Sequence, residues 1–209
     1  MQIDHILFAA SDLETESRMF RERYGFGVID GGHFPDGLHN RVIPLANGQY
    51  LEILGISDPK LAGGVWLSHL IDQGVHIVGW GVQPENLDEV SARLGISPHG
   101  GGIGTEGETD DLPEMWRYVA DPDENQIFLP FFIQYSRNRG NEEYLKWMKQ
   151  TDHEVEPLEI SWIEISGDAD QLNEWLGSHD LPIRAIEDGG RPRIVRLGIR
   201  TASGEIAIS

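Results

Sequence analysis

Cysteine is absent from the 209-residue chain. That absence removes disulfides, thiolate metal sites and cysteine nucleophiles together. Any metal here would have to be held by imidazole, carboxylate or water oxygen. Basic residues are scarce: 16 Lys and Arg stand against 35 Asp and Glu, a net charge of −19. A phosphate backbone is repelled by that average, and no basic stripe overrides it, which argues against nucleic acid and anionic membrane partners. No apolar run approaches the ~18 residues of a membrane span, and the opening MQIDHILFAASDLE is not a charged-then-apolar leader, so a cytoplasmic protein is expected. Also missing are a GxSxG elbow, an HExxH helix, a GxGxxG joining a strand to a helix and a GxxxxGK[ST] loop. Serine hydrolase, zincin and nucleotide-binding readings therefore have no local support.

What is present is a globular chain, 39% hydrophobic, with a recurring order of elements. IDHILFAA reads as a strand. Ser11 or Asp12 can cap the helix LETESRMFRERYG, with Gly25 as its stop. GFGVIDGGHF, HNRVIPLA and QYLEILGI then read as three strands divided by turn residues. The order β-α-β-β-β returns in VHIVGWGV, PENLDEVSARLG (Pro84 opening the helix), a glycine-rich stretch, MWRYVA and QIFLPFFIQY. A third copy follows: LEISWIEIS, DADQLNEWLGSHD with Asp168 as cap, PIRAIED, PRIVRLGIR and GEIAIS. Residues 1–135 are expected to form one domain from modules 1–56 and 75–135. Residues 136–155 should be a helical connector, and 156–209 a third βαβββ-like module.

One stretch raises a chemical question. In NGQYLEILGI, period-two alternation puts Glu52 on the face of Tyr50 and Leu54, opposite Leu51 and Ile53. Either that face is wet, or the carboxylate has a partner that makes burial tolerable.

The first 56 residues resemble the vicinal oxygen chelate superfamily (glyoxalase, bleomycin resistance, dioxygenase), and within it the glyoxalase-like subgroup. The residues that carry the likeness are the Asp4-His5 strand, the GGHF loop, Asn40 at a strand start and the closing Tyr50-Leu51-Glu52. Residues 75–135 are similar more loosely. The resemblance implies an α+β fold of βαβββ modules in a curved, cupped mixed sheet, with one pocket on the concave face. It also implies metal ligands on the first and last strands of each module: His5 and Glu52, with His76 as the second-module candidate. The last strand of that module, IFLPFFIQY, has no carboxylate or imidazole, so the set is incomplete. His5, His76 and Glu52 would make a two-His-one-carboxylate site for a divalent ion of unspecified identity.

Around this set, Glu52 or His33 could act as base, and His39, Asn40, Trp80 and Trp116 could contact a substrate. Each has a plainer reading: GGHFPDGLHN is a run of turn residues, and most tryptophans are core. The implied function is a metal-dependent lyase, isomerase or dioxygenase acting on a small oxygen-bearing molecule. The alternative is a metal-free protein that binds or sequesters a small molecule. The modules could pair within one chain or between two, as a homodimer.

Overall fold

Local chemistry starts and stops the first helix. Asp12 caps it by accepting a hydrogen bond from Thr15 N at 2.6 Å, and Gly25 ends it at φ 73°, a left-handed conformation that costs a residue without Cβ little. A computed structural model describes residues 1–105, 112–123, 126–136, 140–187 and 189–209. The first unit runs β1 (Gln2–Ala9), α1 (Leu13–Tyr24), β2 (Ile29–His33), β3 (Leu38–Pro44) and β4 (Tyr50–Ile56). After α2 (Ala62–Asp72) the order returns as β5 (Ile77–Gln83), α3 (Leu87–Leu94), β6 (His99–Gly101), β7 (Trp116–Val119) and β8 (Phe131–Tyr135).

These two units share one eight-stranded sheet, ordered β2-β3-β4-β1-β5-β8-β7-β6. In each, the first strand lies parallel to the last, β1 with β4 and β5 with β8. The antiparallel β1–β5 pair joins the halves within a single chain. The sheet curls into a half-barrel. Its edges touch at one bridge, where His33 and Gly104 exchange backbone hydrogen bonds of 3.0 and 2.9 Å.

Alternation sorts the two faces. Ile6, Phe8, Leu51, Ile53, Trp80 and Phe132 point outward into the main core. On the inner side, α2 packs Leu67 and Leu70 against Ala9, Leu38, Leu54 and Val78, and so plugs one end of the cup. The sequence hides α2. Its N-cap is Leu61, which makes no side-chain cap bond, and Gly63 and Gly64 stand in its first turn, where glycine disfavours helix.

The connector α4 (Gly140–Gln150) closes the other end. Its Tyr144 donates to Leu45 O and accepts from Gly48 N, and its Trp147 meets Tyr50 edge-on. The last unit is β9 (Pro157–Ser166), α5 (Ala169–Leu176), β10 (Ile183–Ile186), β11 (Arg193–Thr201) and β12 (Gly204–Ile208). Its element order matches the first two, but its pairing does not. The four-stranded order is β10-β9-β11-β12, so the parallel neighbour of the first strand is the second and not the last.

This unit covers the convex face, with Ile160, Ile163, Trp175 and Leu197 in the main core. It is fastened by the Trp175 indole N–H to Pro130 O (2.8 Å) and by Arg93, which donates to Glu174 O and Trp175 O at the end of α5. Asp168 caps α5, as its position suggested.

Two element boundaries differ from expectation. Asn86, not Pro84, caps α3, accepting from Asp88 N at 3.0 Å. The stretch QIFLPFFIQY is a strand only from Phe131. Leu129 N bonds Gln126 O to make a turn, and Pro130 has no N–H to give a ladder. The acidic part of the glycine-rich stretch, 106–111, lies outside the described residues. Among those described, no helix is long and apolar enough to cross a membrane.

Candidate active site

The inner face of the half-barrel encloses a cavity of about 810 Å³, the size of a small-molecule site. Tyr50, Glu52 and Leu54 line it, while Leu51 and Ile53 point away, so alternation puts Glu52 inside. Glu52 is only 5% exposed. Facing it from β1 is His5, 2% exposed, with Nε2 3.4 Å from Glu52 Oε2.

Each member of this pair is held from behind. Asn40 on β3 donates from Nδ2 to Glu52 Oε1 at 2.7 Å, and its own Oδ1 accepts from Gly32 N at 2.7 Å. The Gly-Gly pair is thereby explained. Gly32 supplies the N–H, and a Cβ on Gly31 would fall 2.1 Å from Asn40 Oδ1. Gly31→Ala should therefore push Asn40 off Glu52 and cost about 1–3 kcal/mol, read as a lower urea midpoint, with Gly79→Ala as a control at a strand glycine where a new Cβ meets only Leu7 Cδ1 at 4.0 Å.

His5 is oriented by Asp4, whose Oδ2 accepts from Nδ1 at 2.5 Å. Two neighbouring strand residues ordinarily face opposite ways. Here the β1–β5 register slips between Ile3 and His5, and this bulge turns Asp4 onto the same face as His5. Tyr135 OH also donates to Asp4 Oδ2 (2.8 Å), Gln83 donates to Oδ1, and Tyr50 OH lies 3.0 Å from Tyr135 OH. Burial pushes both phenols well above their ordinary range, which keeps them protonated. The His5 ring is clamped between Tyr50, stacked at 4.4 Å and 9°, and the edge of Phe131 at 5.2 Å.

With Nδ1–H given to Asp4, the imidazole offers Glu52 a lone pair. Two acceptors at 3.4 Å repel unless a proton or a cation sits between them. Burial raises the Glu52 carboxyl above its ordinary 4.5, opposed by the His5 imidazole and the Asn40 bond. The arrangement can hold one proton between two groups and hand it to a molecule in the cup.

A metal fits less well. One ion with ligand distances of about 2.0–2.2 Å could touch both groups. The third expected ligand, however, is elsewhere. His76 precedes β5, bonds Glu16 of α1 at 2.8 Å and meets Phe8 on the convex side. The register identifies the true counterparts. His5 pairs Tyr50 as Gly81 pairs Phe131, so Gly81 matches His5 and Ile133 matches Glu52. Neither can ligate. Among the described residues no group of three or more His, Asp or Glu could hold an ion.

The other expected residues divide. Asn40 and Trp116 line the cavity. Trp80 does not: it is fully buried on the convex side, its indole donating to Phe128 O at 3.0 Å. His33 and His39 stack on each other at 4.0 Å outside the cavity, with His39 bonded to Asp30. Asp4, Gln83 and Tyr135 were missed. The bulge that turns Asp4 inward leaves no trace in the hydrophobic period, and Gln83 and Tyr135 reach Asp4 only through the pairing of β5 with β1 and with β8.

A cupped sheet of two βαβββ units with a histidine and a glutamate on its inner face defines a protein of vicinal-oxygen-chelate type. The profile of the Glyoxalase-like domain family matches residues 3–179, and the chain belongs to that family. Among solved structures, a hypothetical protein from Staphylococcus aureus is 15% identical and superposes with a TM-score of 0.64, covering 100% of this chain and 98% of that one. Methylmalonyl-CoA epimerase from Mycobacterium tuberculosis gives 12% identity and a TM-score of 0.46, over 64% of this chain and 87% of that one. The Streptomyces coelicolor epimerase in complex with 2-nitronate-propionyl-CoA gives 19% and 0.43, over 64% and 96%. No functionally curated protein matches in sequence.

Proposed function

We propose that this glyoxalase-like protein is an enzyme that moves a proton on a small oxygen-bearing molecule held in the cup. The observation that carries the reading is the buried line Asp4–His5–Glu52 on the cavity floor, with His5 Nε2 3.4 Å from Glu52 Oε2, close enough for the two groups to share one proton. In the productive state Glu52 is a carboxylate and His5 carries Nε2–H. Glu52 takes a proton from carbon beside a carbonyl. The C–H electron pair forms a new C=C bond, and the carbonyl π pair moves to oxygen, which accepts a hydrogen bond from His5 Nε2–H. Return of the proton to the same carbon gives exchange or epimerisation. In an α-hydroxyketone the hydroxyl proton moves to the first oxygen as the carbon-bound proton returns to the former carbonyl carbon, which completes an isomerisation. Departure of a β-substituent with its bonding pair completes a lyase reaction. Asp4 fixes the tautomer, and Asn40 orients the carboxylate.

The metal-dependent form of this chemistry, which the family suggests, would rest on His5 and Glu52 alone among the described residues. A second reading has its own support. With Gly81 and Ile133 in the second-half positions and aromatic walls around the cup, the protein could bind a small molecule and not turn it over.

The test is exchange of carbon-bound hydrogen for deuterium in α-hydroxyketones, beginning with 2-hydroxyacetophenone, followed by proton NMR in D₂O with EDTA present. The expected result is acceleration over buffer by about 10²–10⁴-fold, abolished in His5→Ala and reduced in Asp4→Asn. Exchange that appears only with added divalent ion would restore the metal-dependent form. Tight binding without exchange would favour sequestration.

A further inference from the structure

The charge of the cavity wall carries an inference that rests on reading the cup as the ligand site. Its carboxylate lining residues are Asp4, Asp36, Glu52, Asp121 and Asp123, and the one basic side chain among the described lining residues is His5, which is engaged by Asp4 and Glu52. Among the described residues no Lys or Arg lines it. Arg117, the base nearest in sequence to the β7 lining, is turned outward to Asp88 and Gln134 at 3.0 and 2.9 Å.

The same wall is rich in π faces. Phe34 meets Trp116 edge-on at 6.4 Å, Tyr118 meets Phe131 at 6.5 Å, and Trp66 enters from α2. An aromatic face attracts cations and repels anions, and a carboxylate-lined, partly closed cup does the same over a longer range. A carboxylate, phosphate or sulfonate entering this space would lose water and meet no guanidinium or ammonium among the described wall residues.

We infer that the cup selects by charge: its ligand is an aromatic or otherwise apolar carbonyl compound that is uncharged or cationic, and anionic compounds are turned away. Asp36, on the exposed turn before β3, and Asp121, after β7, act as the outer part of this filter. Asp4 and Glu52 form the inner part. The aromatic wall sets the shape. The outer part of the filter is separate from proton transfer, because Asp36 and Asp121 make no contact with His5.

Three matched probes test it: acetophenone, 4-acetyl-N,N,N-trimethylanilinium and 4-acetylbenzoate, titrated against the full chain by quenching of tryptophan fluorescence and by calorimetry. The expected order is cation at least as tight as neutral, and carboxylate at least tenfold weaker than neutral at low salt, the gap shrinking as salt is added. Asp36→Asn should narrow the gap. A carboxylate that binds as well as the neutral ketone overturns the inference, as does failure of all three to bind. His5→Ala must keep the order of the three. If exchange survives but the order is lost, only the charge filter fails. If the order holds but exchange is absent, only the proton-transfer reading fails.

Discussion

Glu52→Gln should give a protein that melts higher than the wild type and no longer transfers protons. Glutamine keeps the shape and both partners of Glu52: its oxygen accepts from Asn40, and its amide donates to the His5 Nε2 lone pair, where the carboxylate needs a proton in between. The sign with pH follows from the raised folded pKa. Below about 4.5 the side chain is protonated in both folded and unfolded chains, and the two proteins differ little. As pH rises, the unfolded chain releases its proton first, while burial makes release from the folded protein costly. Wild-type stability therefore falls through this window and stays lower above the folded pKa. At pH 8 the variant should gain about 1 kcal/mol, roughly 2–4 °C in Tm, and the gap should close at pH 4. Calorimetry across that range checks it. Exchange activity should fall by about 10²-fold or more. A variant less stable than wild type at pH 8 would mean that the carboxylate is well solvated or paired more strongly than this geometry allows.

Gly81→Ala is the second large effect. A Cβ at Gly81 would lie 2.9 Å from His5 Cε1 and 3.0 Å from two ring atoms of Phe131. The imidazole has nowhere to retreat, since Tyr50 stacks on its other face and Asp4 holds Nδ1. The expected cost is about 1–3 kcal/mol of stability with a loss of exchange activity of at least tenfold. Gly79, two positions earlier on the same strand, is the matched control, because a Cβ there meets only Leu7 Cδ1 at 4.0 Å. Gly79→Ala should fold and turn over nearly as wild type. Equal damage at both positions would show that glycine is needed in β5 for backbone reasons and not to make room for His5.

Both predictions come from a site that was partly legible beforehand. A lone carboxylate at an alternating strand position, between Tyr50 and Leu54, was a visible anomaly, and the histidine three residues into the first strand was its natural partner. Two-fold repetition was legible because caps, stops and strand periods recur in order. His76 misled because it lies near the start of the second unit's first strand, and strand parity cannot be counted across an unknown register. Only the pairing of Gly81 with Phe131 shows that a glycine stands where the second imidazole was sought. Asp4 was hidden by the bulge, and Trp80 by the parity of β5. Helix α2 was hidden by its glycines and its missing cap, although it supplies Trp66 to the wall and closes the cup. The third unit showed its elements but not its pairing, because element order does not specify which strands become neighbours.

The central claim is that His5 and Glu52 hold a common proton, with the imidazole tautomer set by Asp4. Nitrogen-15 NMR of the His5 ring in wild type, Glu52→Gln and Asp4→Asn addresses this without a substrate. The expected spectra show Nδ1 protonated in wild type, an Nε2 signal that moves when Glu52 becomes glutamine, and a changed tautomer balance in Asp4→Asn. An Nε2 signal indifferent to residue 52, or an unprotonated Nδ1 beside an intact Asp4, would contradict it.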